Sequence, residues 1–139
     1  EETLPLVLKN ARDYCIKHIR FAEILNKPTV LEEFGIGRDR ERYLPGTPVM
    51  VRDTFLSMSY KIIEDNMQST KPVAGSNLWT WGGEGRSHHT DARWIQGTDF
   101  TGDPPQEPQG LNSIFDVDTT TLEIMKEHFM QIEQINHGM

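Results

Sequence analysis

The chain has 139 residues, 25% of them charged and 36% hydrophobic, with a formal net charge of -7, which is enough for one domain with a buried core. A pI near 5.2 argues against a nucleic-acid backbone or an anionic membrane as partner, because both recruit a basic face. No apolar run reaches the roughly 18 residues of a membrane-spanning helix, and the opening Glu1-Glu2-Thr3 has the wrong chemistry for a secretory leader.

A first helix is expected to start near Thr3 as N-cap, with Pro5 in the first turn, where a missing N–H costs nothing. Leu6, Leu8, Ala11, Tyr14, Cys15, His18, Ile19, Phe21, Ala22 and Leu25 then recur at helical spacing. Cys15 is the only cysteine, so no intrachain disulfide forms. Within this pattern it reads as a small core residue rather than a nucleophile. His18 reads as an ordinary helix histidine, since no partner pattern accompanies it.

Lys27-Pro28 stops that helix, because proline pushes the residue before it out of the helical region. Thr29 to Leu31 follow as an apolar, β-prone run, the composition of a buried parallel strand. The strand delivers Glu33 at its C-terminal end, just before Phe34-Gly35. A carboxylate there needs a reason, since burying one without a partner is costly. The two readings are an ion pair with a neighbouring Arg or Lys, and a catalytic group at the strand end where α/β barrels keep theirs.

The polar loop Gly35 to Gly46 is expected to hold mostly solvated charges and to border a cleft. Thr47-Pro48 predicts the N-cap and first turn of a second helix over residues 48–69, with Val51, Phe55, Met58, Ile62 and Ile63 facing the core. Lys71-Pro72 repeats the stop. Val73 to Trp81 predicts a second buried strand, with Val73, Gly75, Asn77 and Trp79 on one face by alternation. Gly83 to Asn112 shows no period. Its Pro/Gly pattern, with Trp94 and Phe100, predicts an ordered binding loop.

The last helix is predicted to start near Asp118 or Thr119, with Thr120 and Glu123 at capping-box spacing and Leu122, Met125, Phe129, Ile132 and Ile135 as its buried stripe. Strands alternating with helices imply a parallel sheet. Two strands cannot bury both faces of such a sheet, and a complete eight-stranded α/β barrel needs roughly 250 residues. The chain therefore reads as the last third to half of a barrel.

Glu33 and Trp79 end consecutive strands, which are neighbours in a parallel barrel. A carboxylate beside an aromatic face suits a sugar: the ring supports the C–H face of the pyranose while the carboxylate meets the anomeric carbon. A barrel-core Trp and a salt-bridged Glu are the alternative, and composition does not separate the two. His88-His89 with Asp91 matches no standard zinc spacing. Asp116-Val117-Asp118 lacks the glycine and later acid of a calcium loop and reads as helix capping. Neither a metal nor another cofactor is expected.

Leu31-Glu32-Glu33-Phe34-Gly35, then Gly75-Ser76-Asn77-Leu78-Trp79-Thr80-Trp81-Gly82-Gly83, then Gly102-Asp103-Pro104-Pro105-Gln106-Glu107-Pro108-Gln109-Gly110, followed by Ser113 to Asp116, resemble glycoside hydrolase family 5, most closely its bacterial β-mannanase branch. The resemblance spans nearly the whole chain. It implies an α/β fold, the C-terminal portion of a (β/α)₈ TIM barrel with about strands seven and eight and helices six to eight, so that residues 1–139 form part of a single catalytic domain. It further implies a retaining hydrolase cleaving β-1,4-mannosidic bonds in mannan-type polysaccharides, with Glu33 as nucleophile and Trp79 flooring the subsite of the attacked sugar. Glu32 competes for the nucleophile role, and strand parity is expected to let only one of the two point into the barrel. Trp81 shares the parity of Trp79 and would extend the platform. Trp94 and Arg86, with His88 and His89, are further candidates for lining the cleft.

The family's acid/base glutamate normally lies in an Asn-Glu-Pro motif, and no Asn-Glu dipeptide occurs here. A retaining mechanism needs two carboxyls about 5–5.5 Å apart. The second is therefore expected on the N-terminal part of the same barrel, as another polypeptide or missing segment. A family 5 β-1,4-glucanase and a non-catalytic carbohydrate-binding fragment are the alternatives. The polymeric substrate implies an extracellular or periplasmic location.

Overall fold

The computed structural model describes residues 3–67 and 71–137. In chain order these form α1 (Leu4–Leu25), β1 (Thr29–Phe34), a 3-10 turn (Asp39–Glu41), α2 (Met50–Asn66), β2 (Val73–Leu78), β3 (Trp81–Gly83), β4 (Ile114–Phe115) and α3 (Thr119–His137). No helix among the described residues is long and apolar enough to cross a membrane.

β1 and β2 pair in parallel, in the register Thr29↔Val73, Leu31↔Ser76, Glu32↔Asn77 and Phe34↔Leu78. α2 makes the crossover between them, as a parallel pair requires. Asn26 closes α1 in the left-handed conformation (φ 50, ψ 50), its N–H donating to the carbonyls of Ala22 and Glu23. The predicted second strand is shorter than Val73 to Trp81. It ends at Leu78, the chain bends at Trp79 with a cis Trp79–Thr80 peptide, and Trp81 opens β3, which pairs in parallel with β4.

Helices cover one face of the β1–β2 pair. Ile19 of α1, Leu56, Tyr60, Ile62 and Ile63 of α2, and Phe34, Val73 and Ile114 form the buried cluster, with Leu31, Leu78, Leu122 and Met125 packed against it. Each such side chain stabilises the fold by about 1.5–3 kcal/mol when fully buried. α3 meets α2 through a polar-aromatic contact. The His128 ring stacks on Tyr60 (3.9 Å between centroids, 8°) while its Nδ1 lies 2.8 Å from Glu64 Oε1. The other face of the strand pair is open, with Val30 42% exposed, although parallel strands are ordinarily covered on both faces. Along α1, Leu6, Tyr14, Ile24 and Leu25 are likewise exposed.

Several end signals work differently from expectation. α2 starts at Met50 rather than at residue 48, and Thr47 donates its hydroxyl to Leu44 O. The cap comes from farther back: the Asp39 carboxylate accepts the N–H groups of Met50 (3.2 Å) and Val51 (2.8 Å). α2 ends at Asn66, and the predicted continuation through 68–69 lies outside the described residues. Thr120 is inside α3, not before it, and its hydroxyl donates to Asp53 instead of closing a capping box. Phe129 of the expected α3 stripe is 55% exposed, and Thr121 and His128 take the buried positions.

Candidate active site

Strict alternation puts residues an odd number apart on opposite faces of a strand. Leu31 and Phe34 are three apart, yet both pack into the helix-covered core. A bulge makes this possible. The register slips between Glu32 and Phe34, leaving Glu33 without a cross-strand partner, in the left-handed region at φ 49. That conformation costs a non-glycine residue roughly 1–2 kcal/mol. Bulges re-aim side chains and are common beside active sites. The extra residue lets Glu32 and Glu33 both leave the core side, and both are exposed. The parity expected to choose between them is thus cancelled at the one place where it was needed.

Partners distinguish the two carboxylates instead. Glu32 Oε1 accepts from Asn77 Nδ2 across the ladder at 3.0 Å. Among the described residues Glu33 has no hydrogen-bond or ion-pair partner, so the structural salt bridge weighed above does not form within them.

Trp79 reaches the same strand end. Its N–H donates to Phe34 O at 3.0 Å, one residue beyond Glu33. The remaining candidates make other contacts. Trp81, 57% exposed, borders a shallow groove with Leu122, Met125 and Phe129 of α3. The parity that linked it to Trp79 ends at the bend between them. Trp94 donates from Nε1 to Thr98 O at 3.3 Å and sets its ring edge-on to Phe100. Arg86 is spent locally: it pairs with Asp116, donates to the carbonyls of Gly83 and Gly85, and lies 5.2 Å from the Phe115 centroid. No hydrogen bond or ring contact joins Trp81, Trp94 or Arg86 to Glu33 or Trp79 among the described residues. His88 and His89 stand 3.7 and 3.8 Å from Asp99 and Asp91, and no cluster of three or more metal-ligating side chains occurs among the described residues.

Buried polar residues hold the loops that frame this strand end. The loop after Glu33 is not solvated throughout, since Arg38 and Asp39 are buried. Arg38 forms a two-pronged pair with Asp118 and also donates to Thr47 O and Ser113 O. Asp118 accepts from Phe115 N as well, so its carboxylate is engaged away from α3 rather than capping it. In the Pro/Gly-rich segment, Asp103 accepts from Gly110 N (2.7 Å), Asn112 N (3.0 Å) and the Ser113 hydroxyl. Gln109 Nε2 donates to Asp103 O (2.8 Å) and Pro104 O (3.0 Å), and its Oε1 accepts from Thr101. This segment is ordered by its own buried hydrogen bonds, which satisfy the backbone of a region without regular structure.

Two parallel strands joined by a helical crossover, with Glu33 and Trp79 at their carboxyl ends, define an α/β unit. The family model for glycoside hydrolase family 5 β-mannosidase-like proteins matches residues 1–137, and the chain belongs to glycoside hydrolase family 5. It is similar to the crystal structure of a family 5 mannosidase from Rhizomucor miehei, with 32% identity and a TM-score of 0.86 over 98% of this chain and 34% of that one. A form of that enzyme with one glutamate replaced by alanine matches at 31% identity and a TM-score of 0.85, covering 97% of this chain and 34% of that one. A second such form, with a different glutamate replaced and mannosyl-fructose bound, matches at 32% and 0.81, covering 96% and 33%. The chain thus spans about a third of the length of these enzymes. No curated protein matches it.

Proposed function

We propose that this chain supplies the nucleophile of a retaining β-mannoside hydrolase acting on β-1,4-linked, mannan-type chains. In this reading residues 1–139 contribute strands seven and eight and helices six to eight of one (β/α)₈ catalytic domain. The observation that carries it is the bulge that turns Glu33 off the core side of β1, without a hydrogen-bond or ion-pair partner among the described residues, at the strand end where Trp79 bonds to Phe34.

Glu33 attacks the anomeric carbon and forms a glycosyl-enzyme ester as the leaving oxygen departs with a proton. Water then cleaves the ester and regenerates the carboxylate. The proton comes from a second glutamate on the remainder of the barrel, which also covers the open face of β1 and β2. Trp79 provides the apolar floor for the attacked sugar. The two glutamates replaced in the Rhizomucor miehei enzyme, and the mannosyl sugar bound to it, support a pair of carboxylates and a mannose-type substrate. Trp81 and Trp94 are further candidates for lining the sugar cleft, whereas the Arg86 guanidinium is committed to Asp116 and to the carbonyls of Gly83 and Gly85. A polymeric substrate places the enzyme outside the cytoplasm, in the extracellular or periplasmic space.

The test is Glu33→Ala in the barrel that contains this chain. Turnover of mannan falls roughly 10⁴-fold or more while oligosaccharide binding, read by tryptophan fluorescence, persists. Unchanged turnover would remove Glu33 from the role. Binding without turnover in the wild type would favour a carbohydrate-binding unit, and faster cleavage of carboxymethyl-cellulose than of mannan would favour a β-1,4-glucanase.

A further inference from the structure

We propose that Arg52 is a positioning residue that locks the Glu33 strand end against the loop leading back to Trp79. The inference rests on the nucleophile reading above for its catalytic meaning, and on geometry alone for the lock itself. Arg52 lies in the first turn of α2 and is 1% exposed. That is an unfavourable place for a cation, because the N-terminal end of a helix is already electropositive and a buried charge needs full pairing.

All three nitrogens of the guanidinium are used, and they diverge onto two different segments. Nε donates to Ile36 O at 3.2 Å, three residues after Glu33. One terminal nitrogen donates to Ser113 O at 2.8 Å and the other to Leu111 O at 3.1 Å. The residue after Ser113 continues the connection, since Ile114 N donates to Thr80 O at 2.9 Å, next to Trp79. One planar group therefore sets the spacing between the segment that follows Glu33 and the segment hydrogen-bonded beside Trp79.

The positive charge is countered by Asp118, 3.6 Å from Arg52, with Asp103 and Asp53 adding negative charge nearby; Arg38, a second buried cation, shares Asp118 and Ser113 O with it. Desolvation and the nearby Arg38 lower the Arg52 pKa to about 10, which leaves it charged at neutral pH.

Lysine carries its three donors on a single nitrogen at the end of a flexible stem, so it cannot hold three acceptors at the spacing set by the three nitrogens of the planar guanidinium. Arg52→Lys thus keeps the charge and removes the lock, and Arg52→Met removes both. The experiment measures kcat and KM of both variants on mannooligosaccharides in the barrel that contains this chain, well below the melting temperature, alongside amide hydrogen exchange over 35–39 and 111–114. For Arg52→Lys, kcat falls roughly 10–100-fold, the cost of a small misplacement of reacting groups, with KM changed by less than about twofold. Exchange rises in both segments together. A merely structural role would lower the melting temperature without this split, and unchanged kcat or faster exchange in only one segment would overturn the proposal. If the wild type does not hydrolyse mannooligosaccharides, the nucleophile reading falls, and the paired exchange response still decides whether Arg52 is the lock.

Discussion

A Cβ placed on Gly35 would stand 2.1 Å from the carbonyl oxygen of Trp79. The two strand ends that present Glu33 and Trp79 meet backbone to backbone, and only a residue without a side chain allows it. The obstruction is main chain, so no rotamer change relieves it. Gly35→Ala is expected to cost about 1–3 kcal/mol, the range for overpacking, and to push the Trp79 turn away from β1. Urea unfolding and tryptophan fluorescence measure the two effects. An unaltered midpoint would mean that the strand ends do not meet in this way.

Glu32 is the control for Glu33. Its carboxylate accepts the exposed hydrogen bond from Asn77, and such a bond contributes about 0.5–1.5 kcal/mol. Glu32→Gln should therefore leave turnover near the wild-type value with at most a small loss of stability, whereas Glu33→Gln abolishes turnover. Kinetics on the same mannan preparation compare them directly, and the reverse outcome would transfer the nucleophile role to Glu32.

Asp118 is the acid that Arg38 and Arg52 share in the interior. Asp118→Ala leaves buried guanidinium charge without its nearest carboxylate, and removing one partner of a buried pair costs about 3–5 kcal/mol. Loss of that size should show as a large drop in melting temperature. Replacing Arg38 by Met in the same chain should recover part of it, because the uncompensated charge goes too.

Burial raises the Tyr60 hydroxyl pKa from 10.0 to about 12. The folded state thus keeps a proton that the unfolded chain releases. This stability is fully present below pH 10 and is lost as pH rises through about 12. Tyr60→Phe removes this contribution to alkaline unfolding. Arg52 works in the opposite sense above about pH 10, since its lowered pKa makes the folded state release a proton first. Stability measured from pH 9 to 12 in Tyr60→Phe should accordingly fall less steeply than in the wild type.

The Cys15 thiol is half-buried against the core and its pKa is raised by that burial. Alkylation by iodoacetamide at pH 8 should be slower than for a free thiol and should accelerate on unfolding, because the thiolate is the reacting form. Equal rates in native protein and in denaturant would contradict the packing of α1.

The elements themselves are local events, and the residues that make them are visible in order. Pro28 and Pro72 each precede a strand, apolar residues recur at helical spacing in α1 and α2, and Glu33 and Trp79 arrive at the ends of neighbouring parallel strands. Arg52 also left a trace. It precedes Leu56, Ser59, Tyr60 and Ile63 at helical spacing, and all of these are buried. A cation on that face signals a buried bonding role, although it stands outside the apolar stripe of Val51, Phe55, Met58, Ile62 and Ile63, of which Ile62 and Ile63 belong to the buried cluster and Phe55 and Met58 pack against it.

The rest depends on contacts that no local pattern encodes. The cap of α2 comes from Asp39, the partner of Arg38 is Asp118, and the hydroxyls of Thr120 and Thr121 go to Asp53. Each joins residues far apart in the chain, so its energy exists only once the loops have closed. The bulge at Glu33 is of the same kind. Alternation describes a strand by its own pleat, but Phe34 is held in the core by Tyr60 and Leu31 by its own packing there. The residue added between those two anchors puts both glutamates outside the core. Order, helix and strand character and the candidate pair thus follow from periodicity and chain stiffness. Which face each carboxylate takes, and what holds the loops beside it, follow from packing and buried charge, which only the closed tertiary structure brings together.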